Sequence, residues 1–221
     1  MKKSVLITGA NGSLGLELVK KYLDKNYNVF FHCRKNSNIK ISENLRKSCF
    51  ILSGDLKKKT TIKKISDLII NKKIDILINN AGIYINKAFK ENTIKEIKDI
   101  FEINFFSNVY ILKKIISKLK KKILIININS VAGLSGSQNE SIYSASKHAM
   151  KGFYEAIDKE YFGKHVNILN VFPGAFKSKI TKKRNTFNLL MTPVDLAEAV
   201  FKASKEYSSL KITNINLIRK N

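Results

Sequence analysis

The sequence predicts a doubly wound α/β fold, a parallel sheet with helices on both faces, from three observations. Short apolar runs rich in Ile, Val and Phe alternate with helical stretches along all 221 residues. Such runs read as strands buried on both faces of a parallel sheet. No linker, repeat or shift of composition divides the chain, so residues 1–221 read as one domain.

Seven runs read as strands: Ser4–Thr8, Asn28–Cys33, Cys49–Ser53, Ile74–Asn79, Ile123–Asn129, Val166–Val171 and Ile212–Leu217. Helices are expected between them. Leu14–Lys25 places Leu14, Leu18 and Leu23 on one face and Lys on the other. Thr61–Asn71 is the second. Asn92–Leu119 is a long one, with Ile94, Ile97, Phe101, Phe105 and Ile111 near helical spacing. Ser141–Phe162 and Pro193–Glu206 complete the set.

Composition narrows the function classes. Hydrophobic residues make up 44% and charged residues 26%, globular proportions that argue against disorder. No apolar run has the length of a bilayer span, and Met1 to Leu6 is strand-like, without a charged-then-apolar leader. A soluble, cytoplasmic protein with no membrane partner is expected. Net charge is +24, and 37 of the 41 basic residues are Lys. They cluster at Lys57–Lys59, Lys118–Lys122 and Lys182–Lys183. A Lys-, Ile- and Asn-rich composition with solvated Lys faces accounts for this; an anionic partner is the sharper reading. No aromatic residues alternate with the Lys runs as a base-stacking platform needs, which argues against nucleic acid. Cys33 and Cys49 fall at opposite ends of adjacent strands, roughly 15 Å apart and beyond disulfide reach. His32, His148 and His165 share no metal-ligand spacing.

In a doubly wound sheet, ligands bind beyond the carboxyl ends of the strands, where strand order reverses. The first such loop is Thr8-Gly9-Ala10-Asn11-Gly12-Ser13-Leu14-Gly15. It leaves a strand and opens a helix, the context of a dinucleotide site. Gly9 permits the tight turn, Gly15 lets helix and strand pack closely, and the free amides around Asn11 to Leu14 offer a positive helix end to a pyrophosphate. After the second strand, Arg34 and Lys35 stand where an NAD-selecting enzyme usually has an acid. Arg34 can fork onto a 2′-phosphate and Lys35 can add charge, so NADP(H) is expected over NAD(H). Asp55-Leu56 follows the third strand, where the acid can accept from an adenine amine. Asn80-Ala81-Gly82 ends the fourth, Ser130 the fifth, and Pro173-Gly174 with Ser178 the sixth.

Tyr143 and Lys147 lie four apart on one helical face. An ordinary phenol is too weak an acid for neutral pH, and a nearby ammonium is expected to lower its pKa. Tyr143 could then exchange a proton with a carbonyl or alcohol oxygen, with Ser130 orienting that oxygen. Spacing alone is cheap: with 8 Tyr and 37 Lys, chance gives about one such pair. Three occur, the others being Tyr110/Lys114 and Tyr207/Lys211. Only Tyr143 has a Ser-bearing strand end before it.

With these motifs assembled, the chain resembles the short-chain dehydrogenase/reductase family over nearly its whole length. The matching positions are Thr8–Gly15, Asp55, Asn79–Gly82, Asn104, Ser130, Tyr143, Lys147 and Pro173-Gly174 with Ser178. The resemblance implies a Rossmann-type sheet in the order 3-2-1-4-5-6-7 and a catalytic tetrad of Asn104, Ser130, Tyr143 and Lys147. It implies that Asn104 kinks its helix and holds a water in a relay towards Lys147, that Lys147 also holds the nicotinamide ribose, and that Ser178 contacts the nicotinamide amide. It implies a homodimer or homotetramer acting on a small carbonyl or alcohol.

There are departures. Ser13 stands where compact members usually carry Gly, so it either closes less well on the pyrophosphate or caps the helix. Gly12 gives a spacing similar to longer members such as sugar-nucleotide epimerases. Those carry a substantial C-terminal substrate domain; here only Ser178 to Pro193 is available. Ile212–Asn221 lacks the usual Asp-Gly-Gly-like ending, which bears on tetramer assembly. An NADPH-dependent carbonyl reductase is the favoured reading. The loop Phe176–Met191, with Thr181, Phe187 and Leu189, is expected to set its specificity. A 3-oxoacyl reductase, served by an acyl carrier protein that a basic surface suits, is the alternative. A non-catalytic dinucleotide sensor and a nucleic-acid binder are the readings of other classes, and the intact tetrad counts against the sensor.

Overall fold

The computed structural model describes residues 2–35, 47–205 and 210–220. Its strands are β1 (Ser4–Ile7), β2 (Asn28–Cys33), β3 (Cys49–Ser53), β4 (Ile76–Asn79), β5 (Ile123–Ile128), β6 (Val166–Pro173) and β7 (Asn214–Leu217). They form one seven-stranded sheet in the order β3-β2-β1-β4-β5-β6-β7. Every neighbouring pair is parallel. The order of strands across the sheet reverses between β1 and β4, so their carboxyl ends flank the crevice where a ligand is expected.

The helices are α1 (Ser13–Asp24), α2 (Lys59–Asn71), α3 (Ile94–Phe101), α4 (Ser107–Ile115), α5 (Ser141–Glu160) and α6 (Pro193–Ala203). They cover both faces because successive strand residues point to opposite sides. Val5 and Ile7 of β1 join Leu18 and Tyr22 of α1 and Leu196 and Phe201 of α6 in one core. Leu6 joins Ile65 of α2, Ile111 of α4 and Tyr154 of α5 in the other. Tyr22 ties the first layer together, its ring 5.2 Å from that of Phe201 and its hydroxyl donating to Ser204 Oγ at 3.0 Å.

Several element ends differ from the sequence expectation for identifiable reasons. β1 stops at Ile7 because Gly9 turns the chain at φ +65°. α6 starts at Pro193, where Thr192 Oγ1 accepts from Asp195 N at 3.1 Å; the expected end at Glu206 lies outside the described residues. The expected helix Asn92–Leu119 begins at Ile94, where Thr93 and Glu96 form a reciprocal capping box. Its middle is not α-helical. Glu102–Phe106 forms a π turn, and α4 resumes at Ser107. Two carbonyls in that turn find side-chain donors one turn on, Ser107 Oγ on Ile103 O at 2.8 Å and Asn108 Nδ2 on Asn104 O at 3.1 Å. β2 and β3 pair with Val29 beside Cys49 and Cys33 beside Ser53, and both thiols are free, as expected.

Candidate active site

The first wall is the turn from β1 to α1. A Cβ on Gly9 would sit 2.7 Å from Ala81 Cα, and one on Gly15 would sit 2.5 Å from Gly9 O. Both positions therefore need glycine. Gly12 is the N-cap of α1 and offers no side-chain cap, while Ser13 is already helical. Ser13 therefore does not cap the helix, and the first-turn amides keep their capacity for an anion. The β4 loop is laced to this turn. Thr8 Oγ1 accepts from the amides of Asn80 and Ala81, both at 3.1 Å, and Asn80 Nδ2 donates to Thr8 O and Gly9 O at 2.9 and 3.1 Å.

These residues line a cleft of about 370 Å³. Gly9 and Asn11 to Gly15 form its floor, Asn80 to Gly82 one side, and Arg34, Asp55 and Leu56 the far end. Ser178 closes it near β6. Lys35 is exposed and does not line the cleft, so only Arg34 of that cationic pair reaches it. The cradle fits a dinucleotide: glycine where backbone must approach, bare helix amides for a pyrophosphate, and a guanidinium at the far end. The sequence reading passed over His32, which also lines the cleft. Its Nε2 meets Gly54 O at 2.8 Å, a contact that requires Nε2–H, and burial lowers its pKa, keeping the ring neutral.

A second cavity of about 300 Å³ shares Leu14, Asn80, Gly82 and Ser178 with the first. Ser130, Tyr143 and Lys147 line it, with Pro173 and Gly174 from the end of β6. Ser130 follows β5; its Oγ accepts from Ala132 N at 3.1 Å, and the hydroxyl acts on the Tyr143 phenol to lower its pKa. Lys147 sits one turn beyond Tyr143 on α5, its Nζ donating to Ile128 O at 3.1 Å and lying 5.8 Å from the Tyr143 ring centroid.

The electrostatics depart from the expectation. Burial pushes Tyr143 up to about 12, and Ser130 offsets only part of that. Burial brings Lys147 down to about 8. Desolvation disfavours both charged forms, so the ammonium does not leave the phenol a strong acid in the protein alone.

Asn104 is buried in the π turn. Its Oδ1 accepts from Ile83 N at 2.8 Å, and its Nδ2 donates to Ile83 O at 3.0 Å and to Ser146 Oγ at 3.1 Å. A Cβ on Gly82 would lie 3.3 Å from Asn104 Oδ1 and 3.9 Å from Lys147 Nζ. Asn104 thus clamps the β4 loop beside Lys147.

The cavity rim holds residues that no local motif marks. Tyr84 packs edge-on against Tyr143, ring centroids 5.0 Å apart, and donates to Glu140 Oε1 at 2.5 Å. Arg184 Nη2 donates to the Tyr84 hydroxyl at 3.2 Å. Of the substrate-loop residues singled out in the sequence, Thr181 lines the cavity, and Phe187 and Leu189 do not; Ile180 and Arg184 take their place. The competing pair Tyr110/Lys114 lies on α4 with Tyr110 exposed, and Tyr207 of the third pair lies outside the described residues.

Among the described residues no helix is long and apolar enough to cross a membrane, and no group of His, Cys, Asp or Glu could hold a metal ion. A family model described as short chain dehydrogenase matches residues 3–189. The chain is 34% identical to a 3-oxoacyl-[acyl-carrier-protein] reductase of Buchnera aphidicola, over 94% of this chain and 92% of that one. It is 31% identical to a 3-ketodihydrosphingosine reductase of Bacteroides thetaiotaomicron, over 91% and 74%. Among solved structures it superposes on ElxO with NADP bound, with a TM-score of 0.87, 23% identity and coverage of 99% and 98%. A serine dehydrogenase from Escherichia coli gives a TM-score of 0.84 at 21% identity, with 97% and 96% covered.

Proposed function

The chain belongs to the short-chain dehydrogenase family, and from that premise we propose that it reduces a small carbonyl compound with NADPH, Tyr143 supplying the proton. It is an oxidoreductase acting on C=O or CH–OH groups with a nicotinamide cofactor. The carrying observation is that Ser130, Tyr143 and Lys147 share one cavity that opens into the glycine-lined cleft. Gly9 and the first-turn amides of α1 hold the pyrophosphate, Asp55 and Leu56 the adenine, and Arg34 the 2′-phosphate. Pro173 to Ser178 closes on the nicotinamide side. When bound, the cofactor supplies a hydride to the carbonyl carbon. Ser130 orients the carbonyl oxygen, and the Tyr143 hydroxyl gives that oxygen its proton, leaving an alcohol. Lys147 stands behind the phenol and favours its ionised form once the proton has gone. Asn104 holds the Gly82–Ile83 backbone against them.

The NADP choice draws on Arg34 and on the NADP-bound structure of similar fold. NADPH should raise the melting temperature more than NADH; an equal or larger shift with NADH sinks that choice. A carbonyl panel read by NADPH absorbance should show turnover that Tyr143→Phe abolishes. Salt-sensitive DNA or RNA affinity without turnover would overturn the enzyme reading. The relative at 34% identity favours a second reading, reduction of a 3-oxoacyl thioester on an acyl carrier protein. Including that thioester in the panel decides between them. Assembly as a homodimer or homotetramer in the cytoplasm belongs to the same proposal, and light scattering gives the subunit count.

A further inference from the structure

We propose that Glu140 selects the substrate, and that this cavity takes carbonyl compounds carrying a positively charged nitrogen close to the reacting carbon. The proposal rests on the reductase reading above and names its substrate class.

Glu140 stands just ahead of α5, three residues before Tyr143, and lines the same cavity as Ser130, Tyr143 and Lys147. Its Oε1 accepts from the Tyr84 hydroxyl at 2.5 Å and from Asn86 Nδ2 at 3.5 Å. Among the described residues no donor reaches Oε2, and Glu140 makes no ion pair. Glu17, Asp67, Asp75 and Glu96 each have a Lys partner, whereas Glu140 keeps one carboxylate oxygen open beside the reacting groups of the cavity. Arg184, the cation in this network, ends on the Tyr84 hydroxyl at 3.2 Å, one hydrogen bond short of the carboxylate. Tyr84 is itself pinned edge-on to Tyr143, which fixes the carboxylate beside the reacting phenol.

Glu140 is the N-cap residue of α5, so its half-buried carboxylate is held at the mouth of that helix with one oxygen open to a cation in the cavity. It also works against the chemistry, because its charge raises the pKa of both Tyr84 and Tyr143. An ammonium on the substrate, seated on Oε2, supplies the missing charge and cancels that field at the phenol. A charge-assisted hydrogen bond there also fixes which way the carbonyl faces.

Three small ketones of similar size test this with NADPH: aminoacetone, neutral hydroxyacetone and anionic pyruvate. We expect kcat/KM for aminoacetone to exceed that for hydroxyacetone by about tenfold or more, mainly through KM. Glu140→Gln should bring the ratio close to one, and Glu140→Asp should restore part of it. The ratio is the readout, since removing this charge also alters Tyr143 for every substrate. A ratio near one in the native enzyme, or one unchanged in Glu140→Gln, overturns the proposal. So does a preference for pyruvate, and its loss in Arg184→Gln would give the selecting role to the guanidinium. Reduction of neutral carbonyls without charge preference sinks this proposal alone; no reduction of any carbonyl sinks the reductase reading with it.

Discussion

At Lys147 the fold keeps an amine almost out of water, bonded only to Ile128 O among the described residues, and burial brings its pKa from 10.5 down to about 8. A base whose folded pKa lies below its unfolded one carries its penalty in full below the folded value. The penalty fades as pH rises from about 8 to 10.5, because there the unfolded chain binds the extra proton. Lys147→Met should therefore be inactive yet more stable at pH 7, by at most about 3 kcal/mol. The lost bond to Ile128 reduces that gain. The advantage should shrink towards pH 10.5. Denaturant melts of both proteins at pH 7 and 10 check it, and a Met variant less stable at pH 7 refutes it. Gly9 makes the opposite demand. Its φ of +65° and the 2.7 Å approach of Ala81 Cα leave no room for a Cβ. Gly9→Ala should cost roughly 1–2 kcal/mol for the backbone alone and more for displacing Ala81. A lower melting point and a weakened NADPH shift are the expected readings; unchanged NADPH binding counts against the cradle.

At the scale of elements, the π turn between α3 and α4 determines where Asn104 points. Its amide satisfies both backbone groups of Ile83, so Asn104→Ala leaves an N–H and a C=O to find other partners. Each such loss costs about 1 kcal/mol, more where water is excluded. We expect a drop of about 2 kcal/mol in stability and a fall in kcat larger than the change in NADPH affinity, since Gly82 stands beside Lys147 while the same loop stays tied to the first turn through Thr8 and Asn80. Equal losses in both would show a general loosening. This turn also marks the limit of sequence reading. The resemblance marks Asn104 as a kink, yet Ile97, Phe101, Phe105 and Ile111 keep near-helical spacing through the break, so periodicity alone shows one helix. Five of the strands were legible as apolar runs buried on both faces, while the edge strands β3 and β7 are partly exposed and were legible from their place in the alternation. The dinucleotide loop was legible because glycine is dictated by backbone contacts within a few residues. Glu140 and Arg184 were not, because their connection runs through Tyr84, 56 and 100 residues away in sequence. Lys35 does not line the cleft that its neighbour Arg34 borders, a difference that two adjacent cations do not reveal in sequence.

Across the whole molecule, the charge of +24 is the feature that neither fold nor site requires. About half of the described acids are tied to Lys residues, pairs worth little individually, so the surplus acts mainly as a field. That field should draw in a cofactor carrying several phosphate charges and be indifferent to a neutral carbonyl. Screening lengths fall from about 30 Å at 0.01 M salt to about 8 Å at 0.15 M, so the attraction should fade over that range. We expect kcat/KM for NADPH to fall by about tenfold between those conditions, while kcat at saturating NADPH holds steady. Arg34→Gln should flatten the salt dependence as well as lower the affinity, because Arg34 is the cleft cation proposed to hold the 2′-phosphate. If NADPH capture proves insensitive to salt, the lysines contribute nothing to association, and their abundance reflects the composition of the chain rather than its chemistry.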